Sequence, residues 1–356
     1  MQRHPALLWL VPALAVALIA VALSVVIDTD GPEGSLPEAV PAALVTAVRH
    51  NASDGFSGTV VSRIALGLPA LPALPGWSPT SEETSFASLL AGSHTMLVWY
   101  AGADRQRGAL LGAGAETDLF RNGRDVWQWS SAHGVAEHTV LSLESVLTFA
   151  QHLPVALTPA ALADGALSAL DGSTELSVAP EVTVADRAAY DLVLTPQNRA
   201  TKVGSVHIAI DGATKVPLGV QVYAKGSADA AIDVSFTRIR FGAPAERNFA
   251  YVPQPNTKVS EAADEHPFQT PVAAIPTVSG GGWSSVFRLA GGAPVVDVAS
   301  NAATFRRLPA VSGHWGKGRL VESDLLSLLV TNDGRVFAGA VRPARLYYAA
   351  AHSAAK

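Results

Sequence analysis

The chain has 356 residues and no cysteine, which excludes disulfides, thiolate metal sites, a catalytic thiol and a lipid-modified cysteine. Its 25 basic and 30 acidic residues leave a formal net charge of −5 with no cluster of Lys and Arg, and this excludes a nucleic-acid partner, which needs clustered cations to neutralise phosphates. Charged residues make up 15% of the chain against about 25% in ordinary soluble domains, so a surplus of apolar surface needs a destination.

The run from Ala6 to Ile27 carries no charge. At about 1.5 Å per helical residue it is long enough to cross a hydrocarbon core of roughly 30 Å. Arg3 and His4 precede it while Asp28 and Asp30 follow, which leaves the N-terminus in the cytoplasm and the bulk of a single-pass cell-membrane protein outside. The competing reading is a signal peptide cleaved near Ala22-Leu23-Ser24, giving a secreted chain; the apolar run exceeds the ~7–15 residues of a signal core, which favours a retained anchor.

Pro37 to Arg49 (PEAVPAALVTAVR) reads as a short amphipathic helix. From Gly58 the punctuation changes to β, with Thr59 to Ile64 as a strand, Leu68 to Pro79 as a Pro-rich loop and His94 to Ala101 as the next strand. Asn122-Gly123 between Glu116–Arg121 and Asp125–Ser130 predicts a hairpin. Leu141 to Leu170 is patterned as helix in two pieces, divided by Pro154 and the Thr158-Pro159 start signal.

Alternation then returns in Ala189–Thr195, in Val206–Ile210 and, after an Asp211-Gly212 turn, in Leu218–Tyr223. Ile232, Val234 and Phe236 share a phase that shifts beyond Arg238 to Ile239 and Phe241, which predicts a bulge. The division expected is an anchor over 1–30, a sheet domain over 31–261, a linker over 262–282 and a small α/β module over 283–356. In that module Ser323 caps a predicted helix through Val330, Asn332-Asp333-Gly334 turns into a strand over Arg335–Val341, and a last helix follows Pro343.

The chemistry-bearing motifs are sparse. None of the 10 histidines stands at a metal-like spacing on a credible helix, and neither a Gly-x-Ser-x-Gly elbow nor a pair of carboxylates in an evident cleft is present. Gly313 to Gly318 lacks the spacing of a phosphate loop and reads as a turn between strands. The expectation is a non-enzyme with no cofactor and no metal.

Strands, then helices, then strands again give an α+β class: a curved antiparallel sheet with helices on its concave side, plus the N-terminal spanning helix and the C-terminal module. Several segments carry a family resemblance in this order: Phe56-Ser57-Gly58-Thr59-Val60, the hairpin Leu119–Trp129 (LFRNGRDVWQW), Lys215–Val222 (KVPLGVQV) and the closing Phe249-Ala250-Tyr251-Val252-Pro253. The span from Pro37 to Glu261 resembles the outer-membrane lipoprotein carrier (LolA) superfamily and the N-terminal domain of the sigma-E regulator RseB.

That resemblance implies an open half-barrel whose apolar interior receives a lipid or the acyl chains of a lipoprotein. It differs from free periplasmic carriers in keeping an anchor and adding a C-terminal module. The side chains it points to as lining are Val60, Ile64, Leu97, Trp99, Trp127, Trp129, Val220 and Val222. The partners implied are an acyl-bearing amphiphile, the cytoplasmic membrane and, in an RseB-like sensor, an anti-sigma factor. Burying on the order of ten methylenes at ~0.8 kcal/mol each is worth roughly 8 kcal/mol before binding costs, so no catalytic group is needed.

Overall fold

The alternating apolar segments become strands, and Pro-led segments become helices. The computed structural model describes residues 36–51, 53–67, 92–142, 158–261, 277–289 and 308–353. Within these, β1 (Phe56–Ile64), β2 (Gly92–Tyr100), β3 (Arg105–Leu111), β4 (Glu116–Asn122), β5 (Asp125–Ser130) and β6 (Val135–Val140) form one antiparallel meander. A second meander comprises β7 (Thr174–Val184), β8 (Arg187–Pro196), β9 (Val203–Asp211), β10 (Pro217–Ala224) and β11 (Ala230–Phe241).

β1 pairs with both β2 and β11 and so welds the meanders into a 12-stranded open sheet, ordered β12-β6-β5-β4-β3-β2-β1-β11-β10-β9-β8-β7. The short β12 (Lys258–Glu261) runs parallel to β6 at one edge. The predicted bulge is present: Thr59 pairs with Arg238 but Val60 pairs with Phe236, so Thr237 is the extra residue and its hydroxyl donates to the Thr59 carbonyl at 3.3 Å. Val182, Val184 and Ala185 near the β7–β8 tip reach the core of Phe56, Val60, Val234 and Phe236, so the sheet curls across its own face.

Two short helices pack on that face. α1 (Pro41–Arg49) turns Leu44 and Val45 inward and touches β7. α2 (Pro159–Ser168) starts where Thr158 caps and Pro159 fixes the first turn, then packs Ala163 and Leu167 toward β9, β10 and β11. Arg49 in the last turn of α1 donates to the Leu167 carbonyl at 2.7 Å, placing a cation at the C-terminal end of α2.

The C-terminal region is a 6-stranded antiparallel sheet, ordered β13-β14-β18-β17-β16-β15. Its strands are β13 (Thr277–Ser279), β14 (Val286–Leu289), β15 (Ala310–Gly313), β16 (Gly316–Glu322), β17 (Ser327–Thr331) and β18 (Val336–Gly339). α3 (Pro343–His352) covers one side around Val286, Leu329, Phe337 and Leu346. The helix expected from Ser323 to Val330 is instead a turn followed by β17. Ser323 Oγ does accept from Leu326 N, at 3.1 Å, as a helix cap would, but β-branched Val330 and Thr331 then pair with Arg319 and Gly318 of β16.

The two sheets are joined through backbone. Thr201 bridges to Val341, Lys202 N donates to the Ala340 carbonyl and Arg342 N to that of Ala200, each at 2.8 Å. Lys202 Nζ adds an ion pair to Glu322 at 2.7 Å. No helix among the described residues is long and apolar enough to cross a membrane, and the run 6–27 lies outside them, as does the Pro-rich run 68–79.

Candidate functional site

Residues paired across antiparallel strands point to the same side, so the register fixes the composition of each face. On the helix-bearing face one row reads Ile208, Val220, Val234 and Ser62 across β9, β10, β11 and β1. Val60, Met96 and Leu110 pair as the next row in the β1–β4 half, followed by Gly58, Val98, Gly108 and Leu119. Met96, Val98, Leu110 and Leu119 are each at most 3% exposed. Residues that sequence reasoning missed therefore dominate this face; the signal that finds them is the pairing partner of Val60, not hydrophobicity alone.

The side chains expected as lining do not share one face. Val60, Ile64, Val220 and Val222 lie on the helix-bearing side, where Ile64 and Val222 both pair with Ile232. Leu97 pairs with Thr59 and Trp99 with Ser57, one residue out of phase with Val60, so both turn to the opposite side. Trp127 and Trp129 follow them there through Phe120 and Asp118. The period of two makes this unavoidable once Met96 and Val98 point inward.

On that outer side the tryptophans have protein partners. The ring of Tyr251, from the segment that follows β11, sits 5.2 Å from Trp127, 5.3 Å from Phe120 and 6.4 Å from Trp129. The Arg107 guanidinium lies between Trp99 and Phe120, 4.5 Å from each ring centroid, and donates to Asp118 at 2.8 Å. Burial lifts the Asp118 carboxyl to about 6 against the opposing pull of Arg107, with the nearby Glu116 charge pushing the same way as burial. His138 stacks on Trp127 at 4.2 Å and meets Glu261 of β12 at 2.9 Å, fastening the edge strand to the aromatic layer.

The helix-bearing face is mostly apolar across β1, β2 and β9 to β11 but turns polar toward β4 to β6, where the Val60 row continues into Thr117 and Ser130 and the Gly58 row into Gln128 and Glu137; a further tier lies beside these. There Tyr100, Gln106, Arg121, Val126 and Thr139 align across β2 to β6. Arg121 is 2% exposed and Thr139 0%. Arg121 Nε donates to the Gly123 carbonyl at 3.2 Å, and burial lowers the guanidinium's affinity for its proton while Asp104 raises it. Chemically, the face is hydrocarbon over most of the rows of β1, β2 and β9 to β11 and carries hydrogen-bonding groups toward β4 to β6.

No family model and no curated protein matches the chain. Its neighbours among solved structures include MucB and a LolA superfamily protein. A MucB structure shares 17% identity over 88% of this chain and 97% of that one, with a TM-score of 0.41. The MucA/MucB complex of Pseudomonas aeruginosa shares 16% identity over 87% and 95%, with a TM-score of 0.40. The LolA superfamily protein from Nitrosomonas europaea shares 12% over 60% and 99%, with a TM-score of 0.24.

Proposed function

We propose that the protein is an extracytoplasmic, membrane-anchored binding protein that shelters a lipid, or the acyl chains of a lipoprotein, against the helix-bearing face of its open sheet. The observation that carries this reading is the run of apolar rows on that face, from Val220 and Val234 through Val60 and Met96 to Leu110, on a sheet that curls without closing. Apolar area removed from water drives such binding without direction or chemistry, at roughly 25 cal/mol per Å², so the site asks only for shape and no bond is made or broken. The run 6–27 serves as the anchor that keeps the sheet beside its source of amphiphile.

The test is uptake of a fluorescent acyl probe by the full chain, competed by unlabelled lipid. Saturable uptake with competition supports the reading; an absence of saturable uptake for probes of several chain lengths contradicts it. A regulatory form of the same reading, in which occupancy is passed to an anti-sigma factor, is supported by the backbone bridge of Thr201 to Val341 that ties the sheet to the C-terminal region. Crosslinking that recovers a single-span regulator only from lipid-loaded protein would favour that form.

A further inference from the structure

We propose that His138 is a pH-sensitive clasp for the edge strand β12, holding Lys258–Glu261 against β6 while its imidazole carries two protons and loosening it when one is lost. The inference does not depend on the ligand proposed above. His138 Nδ1 stands 2.9 Å from Glu261 Oε2 and Nε2 stands 3.2 Å from Asp125 Oδ1, so each ring nitrogen faces a carboxylate, one on β12 and one on β5. An ionised carboxylate only accepts hydrogen bonds, whereas a neutral imidazole has one donor nitrogen and one acceptor. The imidazolium alone donates at both ends; without its second proton, one carboxylate confronts a nitrogen lone pair. Stacking on Trp127, with ring centroids 4.2 Å apart, sets the plane in which the two nitrogens point.

β12 is poised to respond. Its four residues are all exposed, so no buried side chain holds it, and it pairs parallel with β6, the weaker arrangement per residue. What else fastens it is backbone: the ladder with Val135–His138 and the bond from Lys258 N to the Gly134 carbonyl at 2.8 Å. Such a strand opens locally at far less cost than global unfolding, so an ion pair of modest strength shifts its docked population several-fold. The other ionisable groups around the ring are engaged elsewhere. Glu137 turns to the helix-bearing side with Gln128, Lys258 lies at the far end of β12 opposite Val135, and Arg124 donates to the Leu141 carbonyl. His133 meets Ser130 at the β5–β6 turn, and Tyr251 packs its ring on Trp127 with its hydroxyl buried. From Glu261 the chain goes on to the C-terminal sheet, so the docking of β12 sets the point at which it leaves the first sheet.

The experiment is amide hydrogen exchange of the full chain, read by mass spectrometry at about pH 5.5, where carboxylates are ordinarily ionised and imidazoles protonated, and at about pH 8, where imidazoles are neutral. Each rate is divided by that of an unstructured chain at the same pH. Protection of the peptide containing Lys258–Glu261 should be roughly three- to fivefold higher at the lower pH. His138→Gln, whose amide keeps its protons at both values, should bring that ratio to about one. Glu261→Gln and Asp125→Asn alter exposed side chains and should each reduce it, which keeps the test standing if His138→Gln fails to fold. A ratio near one in the unmodified chain overturns the inference. A ratio that survives in His138→Gln, or in both carboxylate variants, assigns the pH dependence to another group and overturns it equally.

Discussion

Arg107 holds Asp118 across 2.8 Å on the side of the sheet turned away from the helices, and the pair is walled by Trp99 and Phe120. The ion pair does not compensate fully for burial, because the Asp118 carboxyl is raised from 3.8 to about 6. A carboxyl whose pKa is higher in the folded state binds its proton more tightly there, so its contribution favours folding below about pH 4 and is lost as the pH rises through about 6. At ~1.36 kcal/mol per pKa unit the whole swing is on the order of 3 kcal/mol. Asp118→Asn should flatten the decline in stability between pH 4 and pH 7, read by urea denaturation across that range. An unchanged slope would show that the carboxyl titrates normally.

Tyr251 divides ring from hydroxyl. Its ring packs on Phe120, Trp127 and Trp129, whereas its Oη is buried with no hydrogen-bond partner among the described residues. Tyr251→Phe should therefore leave stability unchanged or raise it by up to ~1 kcal/mol, while Tyr251→Ala should cost about 2–4 kcal/mol. Thermal unfolding of both variants checks this, and a large loss in Tyr251→Phe would reveal a partner for the hydroxyl.

Two glycines on the same tier predict opposite tolerances. A Cβ on Gly58 would collide with the Arg238 carbonyl oxygen, beside the β1–β11 bulge, so Gly58→Ala should destabilise by about 2 kcal/mol or more. A Cβ on Gly108 meets only the Met96 sulfur, at 3.6 Å, so Gly108→Ala should fold within ~1 kcal/mol of the unmodified chain. Gly108→Leu then places bulk among the apolar rows and should weaken acyl-probe uptake more than it lowers the melting temperature. Uptake that survives Gly108→Leu would place the ligand elsewhere.

Arg335 locks the C-terminal sheet to α3. It is 8% exposed and donates to the carbonyls of Ala350, Trp315 and Ser353 as well as to Asp333. Replacing it by Lys loses the planar fork that reaches these acceptors, and Arg335→Met leaves them without their donor; each should cost about 3–5 kcal/mol in denaturant unfolding. A loss below ~1 kcal/mol would mean that α3 is held by its apolar face alone.

Local chemistry made parts of this architecture legible. The phase change beyond Arg238 located the bulge, Thr158-Pro159 located the start of α2, and alternation in Val206–Ile210 and Leu218–Tyr223 located β9 and β10. Strand β3 was hidden because its outer-face residue Arg107 is a cation held between aromatic rings, which alternation reads as solvent-facing. β7 was hidden by Pro180, tolerated in an edge strand where the register with β8 breaks between Ala179 and Val182. The split of the expected lining has a similar origin. Leu97-Val98-Trp99-Tyr100 is apolar throughout because β2 packs on both sides, against the inner core and, at Trp99, under the Arg107 guanidinium, so its sequence carries no phase to say which face is which.

The most direct test of the central claim is organic extraction of the purified full chain followed by mass spectrometry of the extract. The account predicts a co-purifying acyl-bearing molecule in near-stoichiometric amount, depleted in Gly108→Leu. An extract free of acyl chains, from protein that also fails to take up acyl probe, would contradict it and leave the curled sheet as a scaffold whose apolar surface is consumed entirely by its own packing.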